Sequence, residues 1–231
     1  ILNDDLLNLT ELMDGHPEYL TRLAQTPAMY LGSCRYKLPN YLDDDSPYVF
    51  IFKQFETYHI EAFFYIGGND SMDTVSKLSR YAAHHGSDIR FIGIPKTIDN
   101  DIYGTDMTFG FQSAVNIATN AIDCIHTTAS SHGRVFIVEV MGHKVGSLTL
   151  HAGVAGGADI ILIPEIPYDI KKVTEAIQKR AKAGKRFTIL AVAEGAISKE
   201  DAQLPKKKYK EKLEARAKKY PSVSYEIADQ I

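Results

Sequence analysis

Between residues 60 and 193, short apolar runs alternate with stretches in which apolar residues recur every three or four positions. The runs at 60–66, 89–94, 134–140, 160–163 and 187–193 predict strands. The stretches at 71–85, 109–127, 144–155 and 170–183 predict helices. Val75, Leu78 and Ala82 are spaced for one face of the first helix. Ala114, Ile117, Ala118, Ala121 and Ile125 are spaced for one face of the second. After Arg134 the 134–140 run is almost continuously apolar, as in a strand covered on both sides. This alternation predicts βαβ units and an α/β fold: an open, mostly parallel sheet or sheets with helices on both faces. The first 55 residues are less regular. Segments 4–13 and 16–25 read as two short helices, and 36–47 as a loop rich in Asp, Pro and Asn. The order of the strands does not follow from the pattern.

Two predicted strands end in clusters of polar groups. The first runs Phe64-Tyr-Ile-Gly-Gly-Asn-Asp-Ser71. Gly67 and Gly68 allow the backbone close to a ligand, and Asp70 and Ser71 then open a helix, whose N-terminus favours phosphate. Asp or Ser at that place also reads as a simple helix cap. The second strand ends in Pro95-Lys-Thr-Ile-Asp-Asn-Asp101. Lys96 is a point charge for a phosphate oxygen, with the Thr97 hydroxyl beside it. Of Asp99 and Asp101, one suits a general base and the other helps hold a cation. The alternative is a loop whose Asp and Asn side chains bond their own backbone. In an open parallel sheet, ligands sit beyond the carboxyl ends of strands, so the two ends form a phosphate and metal site if they lie side by side.

Composition narrows the class without naming a chemistry. A net charge of −3 over 231 residues lacks the basic footprint of a nucleic-acid binder. No stretch reaches the roughly 18 uninterrupted apolar residues of a membrane span. Cys34 and Cys124 lie far apart and form no metal spacing, which fits a reducing cytoplasm. Ile1 follows no signal-peptide pattern, and the chain reads as one entered partway. The segment 205–220 holds eight basic and two acidic residues and reads as a solvated helix. His84 and His85 sit at a predicted helix end, where a cation favours the dipole. Gly153 to Gly157 precedes a strand and reads as tight helix–strand packing rather than a nucleotide fingerprint.

Five motifs in order carry a family resemblance: Ile66-Gly-Gly-Asn-Asp-Ser71, Pro95-Lys-Thr-Ile-Asp-Asn-Asp101, Ser130-Ser-His-Gly-Arg134, Val138-Glu-Val-Met-Gly142 and Ala193-Glu-Gly195. With Leu31-Gly-Ser-Cys-Arg35, the chain resembles 6-phosphofructokinase from residue 31 to 195. The resemblance implies a phosphofructokinase-like αβα sandwich of two similar domains. Residues 1–135 would form most of the donor-binding domain, without its first strand and glycine-rich loop. Residues 136–231 would form part of the sugar-phosphate domain, without its C-terminal portion. It further implies a glycolytic phosphotransferase that phosphorylates the 1-hydroxyl of fructose 6-phosphate, with Mg2+ as metal, as a cytoplasmic homodimer or homotetramer.

Roles follow by motif. Asp99 matches the base, with Thr97 and Asp101 as its companions at the reacting centre. Arg35 matches an arginine that bridges the transferred phosphoryl group, where a guanidinium neutralises developing charge. Met141 and Gly142 match the turn lining the sugar site, and Glu194 a glutamate that bonds sugar hydroxyls. Arg134 matches an arginine that binds the sugar phosphate across a subunit interface. Gly67, Gly68, Asp70, Ser71 and Lys96 fall on the donor-phosphate side, and Asn69 and Asp70 at the metal position.

Departures from the family pattern bear on the donor. ATP-using members usually carry Gly-Gly-Asp-Gly-Ser and Pro-Gly-Thr in the first two runs. Here Asp70 and Lys96 replace the glycines, a combination resembling pyrophosphate-using relatives. Asn69 replaces an acidic metal ligand, and Asp70 is placed to supply the carboxylate. His143 replaces an arginine and carries no assigned role. The expected donor is therefore pyrophosphate, with ATP as the alternative. A third reading, a subunit without catalysis, draws on Asn69 and is opposed by the retention of Arg35, Thr97, Asp99 and Asp101.

Overall fold

The computed structural model describes residues 1–231 apart from Asp4, Asp5, Ala28, Leu31 and Cys34. The start of the predicted 4–13 helix, one of the two cysteines and part of the Leu31–Arg35 motif therefore lie outside the described residues. The chain packs as two units, Ile1–Ile94 and Pro95–Ile231. This is a division by packing. The approximate 135/136 domain boundary above comes from the family resemblance and lies elsewhere along the chain.

In the first unit, α1 (Leu9–Met13) and α2 (Glu18–Gln25) are short, with no buried residue. They are followed by α3 (Ser46–Thr57), β1 (Ala62–Gly67), α4 (Asn69–His84) and β2 (Arg90–Thr97), the last crossing into the second unit. β1 neighbours β2. Helix α3 was not expected from the pattern. It opens on Ser46 with a proline in its first turn, where the missing N–H costs nothing. Tyr48, Ile51 and Phe55 line its buried side and join Leu38, Leu78 and Tyr81 in one core. The Tyr48 and Tyr81 rings stack with centroids 4.9 Å apart. Tyr48 keeps its hydroxyl satisfied on the Pro39 carbonyl at 2.6 Å. His84 and His85 do end α4, and the His85 ring stacks on Tyr81.

The second unit contains β3 (Phe109–Gly110), α5 (Phe111–His132), β4 (Val135–Val140), α6 (Ser147–Ala155), β5 (Ile160–Leu162), α7 (Ile170–Lys182) and β6 (Thr188–Ala193). Helices α8 (Lys199–Ala202), α9 (Lys206–Lys219) and α10 (Val223–Gln230) complete it. Its sheet runs β4-β6-β5, all parallel, with Val140 opposite Ala193. All six residues of β6 are buried. Strands covered on both faces lose the in–out alternation, which explains the unbroken apolar run. The predicted α5 face needs correction: Phe111, Val115, Ile122 and Ala129 are buried, whereas Ile117 is 71% exposed and Ala121 is also exposed. A Cβ on Gly153 would stand 2.9 Å from Ile161, and one on Gly156 2.8 Å from Ile122, so these glycines serve helix packing. The basic segment 205–220 is helix α9, tied by Lys212 to Asp201 and by Arg216 to Glu226 at 3.4 Å. Among the described residues, no helix is long and apolar enough to cross a membrane.

Candidate active site

The parallel sheet of the second unit delivers its strands to one edge. β4 leads into Met141 and Gly142, and β6 into Glu194 and Gly195. The Glu194 N–H donates to the Val140 carbonyl at 2.9 Å, which carries the ladder one residue past the strands. The Glu194 side chain then turns back. Its Oε1 accepts the backbone N–H of Gly142 at 3.1 Å, and also that of His143. Gly142 has a φ of 150° and His143 one of 51°. The turn closes with the Val145 N–H on the Gly142 carbonyl at 2.9 Å. A Cβ on Gly142 would stand 2.4 Å from the Val145 carbonyl oxygen, so only glycine fits both the dihedral and the space. Gly195 comes equally close to the same turn, with its missing Cβ 2.3 Å from the His143 carbonyl oxygen. The Met141 side chain is exposed beside it.

The end of β2 contributes Lys96, Thr97, Asp99 and Asp101. Lys96 and Thr97 pair in parallel with Phe109 and Gly110 of β3. The Thr97 hydroxyl accepts the Asp99 N–H at 3.1 Å. Asp99 is half-buried, and its carboxyl is held above its ordinary pKa. Burial is the main cause, followed by the charge of Asp101 and, less strongly, that of Glu194. The Thr97 hydroxyl and His143 act in the opposite direction. Asp101, Glu194 and His143 thus all act on Asp99, although up to 95 positions of sequence separate them from it. A half-buried carboxyl whose neighbours at the ends of two strands include two further carboxylates is suited to proton abstraction from a hydroxyl. His143, left without a role above, is one of the groups that act on Asp99.

In the first unit the end of β1 meets the start of α4. Gly68 is the N-cap, and Asn69, Asp70 and Ser71 lie inside the first turn. Asp70 and Ser71 are therefore not the caps, and the capping alternative does not describe them. A Cβ on Gly67 would stand 2.0 Å from the Ser71 Oγ, which explains the first glycine. The helix N-terminus behind Gly68 offers its dipole to an anion. Arg35 is exposed and outside any regular element.

Arg134 is not brought to the Met141–Gly142 turn. It precedes β4, whereas the turn follows it, so the strand length of about 20 Å separates them. Among the described residues, no three His, Cys, Asp or Glu side chains gather closely enough to hold a metal unaided. Mg2+ does not need such a cage, because one or two carboxylates plus substrate phosphates and water suffice. Asn69 and Asp70 offer a donor set of that modest kind.

The profile of the family described as Phosphofructokinase matches residues 6–228. An ATP-dependent 6-phosphofructokinase of Spirochaeta thermophila is 46% identical over 178 residues, covering 77% of this chain and 46% of that protein. ATP-dependent 6-phosphofructokinase 3 of Bacteroides thetaiotaomicron is 52% identical over 133 residues, 58% of this chain and 38% of that protein. Among solved structures, a pyrophosphate-dependent phosphofructokinase from Marinobacter aquaeolei superposes with a TM-score of 0.67 at 33% identity, covering 78% of this chain and 46% of that one. The matches span between 37% and 50% of the length of these curated relatives. With the matched profile, the parallel α/β architecture and the strand-end motifs in order, the chain belongs to the phosphofructokinase family.

Proposed function

We propose that the protein containing this chain transfers a phosphoryl group from pyrophosphate to the 1-hydroxyl of fructose 6-phosphate, giving fructose 1,6-bisphosphate and phosphate. The carrying observation is the half-buried Asp99, held above its ordinary pKa by burial and by the charges of Asp101 and Glu194. Asp99 accepts the proton of the 1-hydroxyl as that oxygen bonds to phosphorus and the donor's bridging oxygen leaves. Thr97 and Asp101 flank the reacting centre. Glu194, Met141 and Gly142 receive the sugar. Arg134 binds the sugar phosphate of a neighbouring subunit's site in a homodimer or homotetramer. Arg35 neutralises charge on the group in flight.

On the donor side, Gly67, Gly68, Asp70, Ser71 and Lys96 bind the diphosphate. Bound Mg2+ would neutralise phosphate charge, held through Asn69 and Asp70. In this reading residues 1–135 carry the donor side and 136–231 the sugar side, in a cytoplasmic enzyme. Asp70 supports pyrophosphate because a carboxylate there crowds and repels the α-phosphate of ATP. Lys96, a cation for the diphosphate, supports it only in combination with Asp70, since some ATP-using relatives also carry a lysine there.

ATP as donor is the second reading, and the names of the relatives from S. thermophila and B. thetaiotaomicron favour it. Assays of the full-length protein with Mg2+, fructose 6-phosphate and each donor separately decide between them. Turnover with pyrophosphate alone is the expected result. Turnover with ATP alone would overturn the donor assignment and leave the sugar side standing. Turnover with neither would favour a subunit without catalysis.

A further inference from the structure

Asn100 stands between Asp99 and Asp101 with a φ of 55°. In extended chain, residues two apart point to the same side; a left-handed residue between them breaks that relation. Asparagine is among the few side chains that tolerate this conformation. Here it is also clamped. Its Oδ1 accepts the Thr108 N–H at 2.9 Å, and its Nδ2 donates to the Asp106 carbonyl at 3.3 Å. Thr108 is 2% exposed. Its single hydroxyl proton goes to the Thr97 carbonyl at 2.7 Å, while the same oxygen lies 3.3 Å from the Asn100 Oδ1. Thr97 in turn accepts the Asp99 N–H. Asn100, Thr108 and Thr97 thus close the loop on which both aspartates are mounted.

We propose that Asn100 is a positioning residue for phosphoryl transfer. Its clamp on Thr108 sets the direction of Asp99 relative to Asp101, and Thr108 passes the constraint to Thr97. The inference rests on the reading of Asp99 as the base. Both ends of the Asn100 amide are engaged within the protein, so its loss alters the aim of the carboxylates more than it alters sugar contacts at Glu194 and Gly142. A general base works only within hydrogen-bond reach of its proton, so a small misdirection is felt in the chemical step.

The test uses the full-length protein and whichever donor it turns over. Asn100→Gly keeps the left-handed backbone and removes the clamp. It is expected to lower kcat about 10- to 100-fold while KM for fructose 6-phosphate stays within about twofold. Thr108→Val removes the hydroxyl and lowers kcat in the same sense, and Thr108→Ser restores most of the loss. Ile122→Val, in a separate part of the second unit's core, lowers the thermal midpoint without lowering kcat, which separates aim from folding. Asn100→Gly with wild-type kcat would overturn the inference. So would a kcat loss that Ile122→Val reproduces at equal thermal midpoint. An active wild type with unaffected variants overturns the inference alone, whereas a wild type inactive with both donors overturns the underlying reading as well.

Discussion

Glu194 accepts the backbone N–H of Gly142 at 3.1 Å across 52 residues of sequence. One oxygen of this carboxylate, Oε1, shapes the turn after β4 by accepting two of its backbone N–H groups. Glu194→Gln keeps an acceptor and loses the charge, whereas Glu194→Ala leaves two N–H groups without it. Hydrogen bonds to a charged group are worth about 1.5–3 kcal/mol, so the alanine variant should lose stability on that scale and the glutamine variant less. KM for fructose 6-phosphate is expected to rise in both, more in Ala. Thermal melts and sugar titrations check the order, and an alanine variant with unchanged midpoint and KM would refute it.

The raised pKa of Asp99 has two consequences of opposite sign. For stability, a carboxyl held above its unfolded value contributes most below that value and loses the contribution as pH rises through the folded one. At neutral pH the ionised group is therefore unfavourable. Asp99→Asn should raise the thermal midpoint at neutral pH, with the gain fading in acid. For catalysis the base must be ionised, so the acid limb of kcat/KM should lie above the ordinary aspartate range. Asp101→Asn should move that limb to lower pH, and His143→Ala to higher pH. Asp99→Asn should cost about 10²- to 10⁴-fold in kcat. A limb unmoved by either neighbour would dismiss the electrostatic grouping.

A Cβ on Gly195 would stand 2.3 Å from the His143 carbonyl oxygen, a backbone atom. No side-chain rotation can relieve an added methyl. Gly195→Ala should displace the 142–145 turn and cost about 1–3 kcal/mol, the usual scale of overpacking. KM for the sugar should rise with it. Calorimetry beside kinetics tests the coupling, and a stable variant with native KM would show that the turn adapts.

Donor choice is assigned to two side chains, and they can be exchanged. Asp70→Gly together with Lys96→Gly should weaken use of pyrophosphate and raise kcat/KM with ATP by about tenfold or more, the effect of removing one unfavourable charge contact. Lys96→Gly alone should harm pyrophosphate use without creating ATP use. If Asp70→Gly destroys activity with both donors, Asp70 acts at the metal rather than as a steric gate.

The β4-β6-β5 sheet and its helices were legible because buried strands leave unbroken apolar runs bounded by glycine, proline or charge. Helix α3 was not. Val49, Phe50, Ile51 and Phe52 are β-branched or aromatic and mimic a strand, while the helical signal lies in Ser46-Pro47 and in the spacing of Tyr48, Ile51 and Phe55. The face of α5 was misassigned at Ile117 and Ala121, since alanine marks either side of a helix. Strand-end motifs were legible because they are contiguous. The contacts of Asn100 with Thr108 and of Glu139 with Ser222 and Ser224 were not. The first depends on how one loop folds back on itself, the second on where a segment more than 80 residues away returns, and no local pattern encodes either.

β6 lies between β4 and β5, with every residue buried. Its amides are of the class that exchange with solvent only when a whole cooperative region opens. Glu194 is mounted on the end of that strand, so its position is inherited from the slowest-opening part of the unit. The Gly142–His143 turn is in turn held to Glu194, so in the proposed reading the sugar-side geometry is referenced to the sheet. On warming, sugar recognition should then persist until the second unit melts as a whole, and vanish with it instead of fading ahead of it.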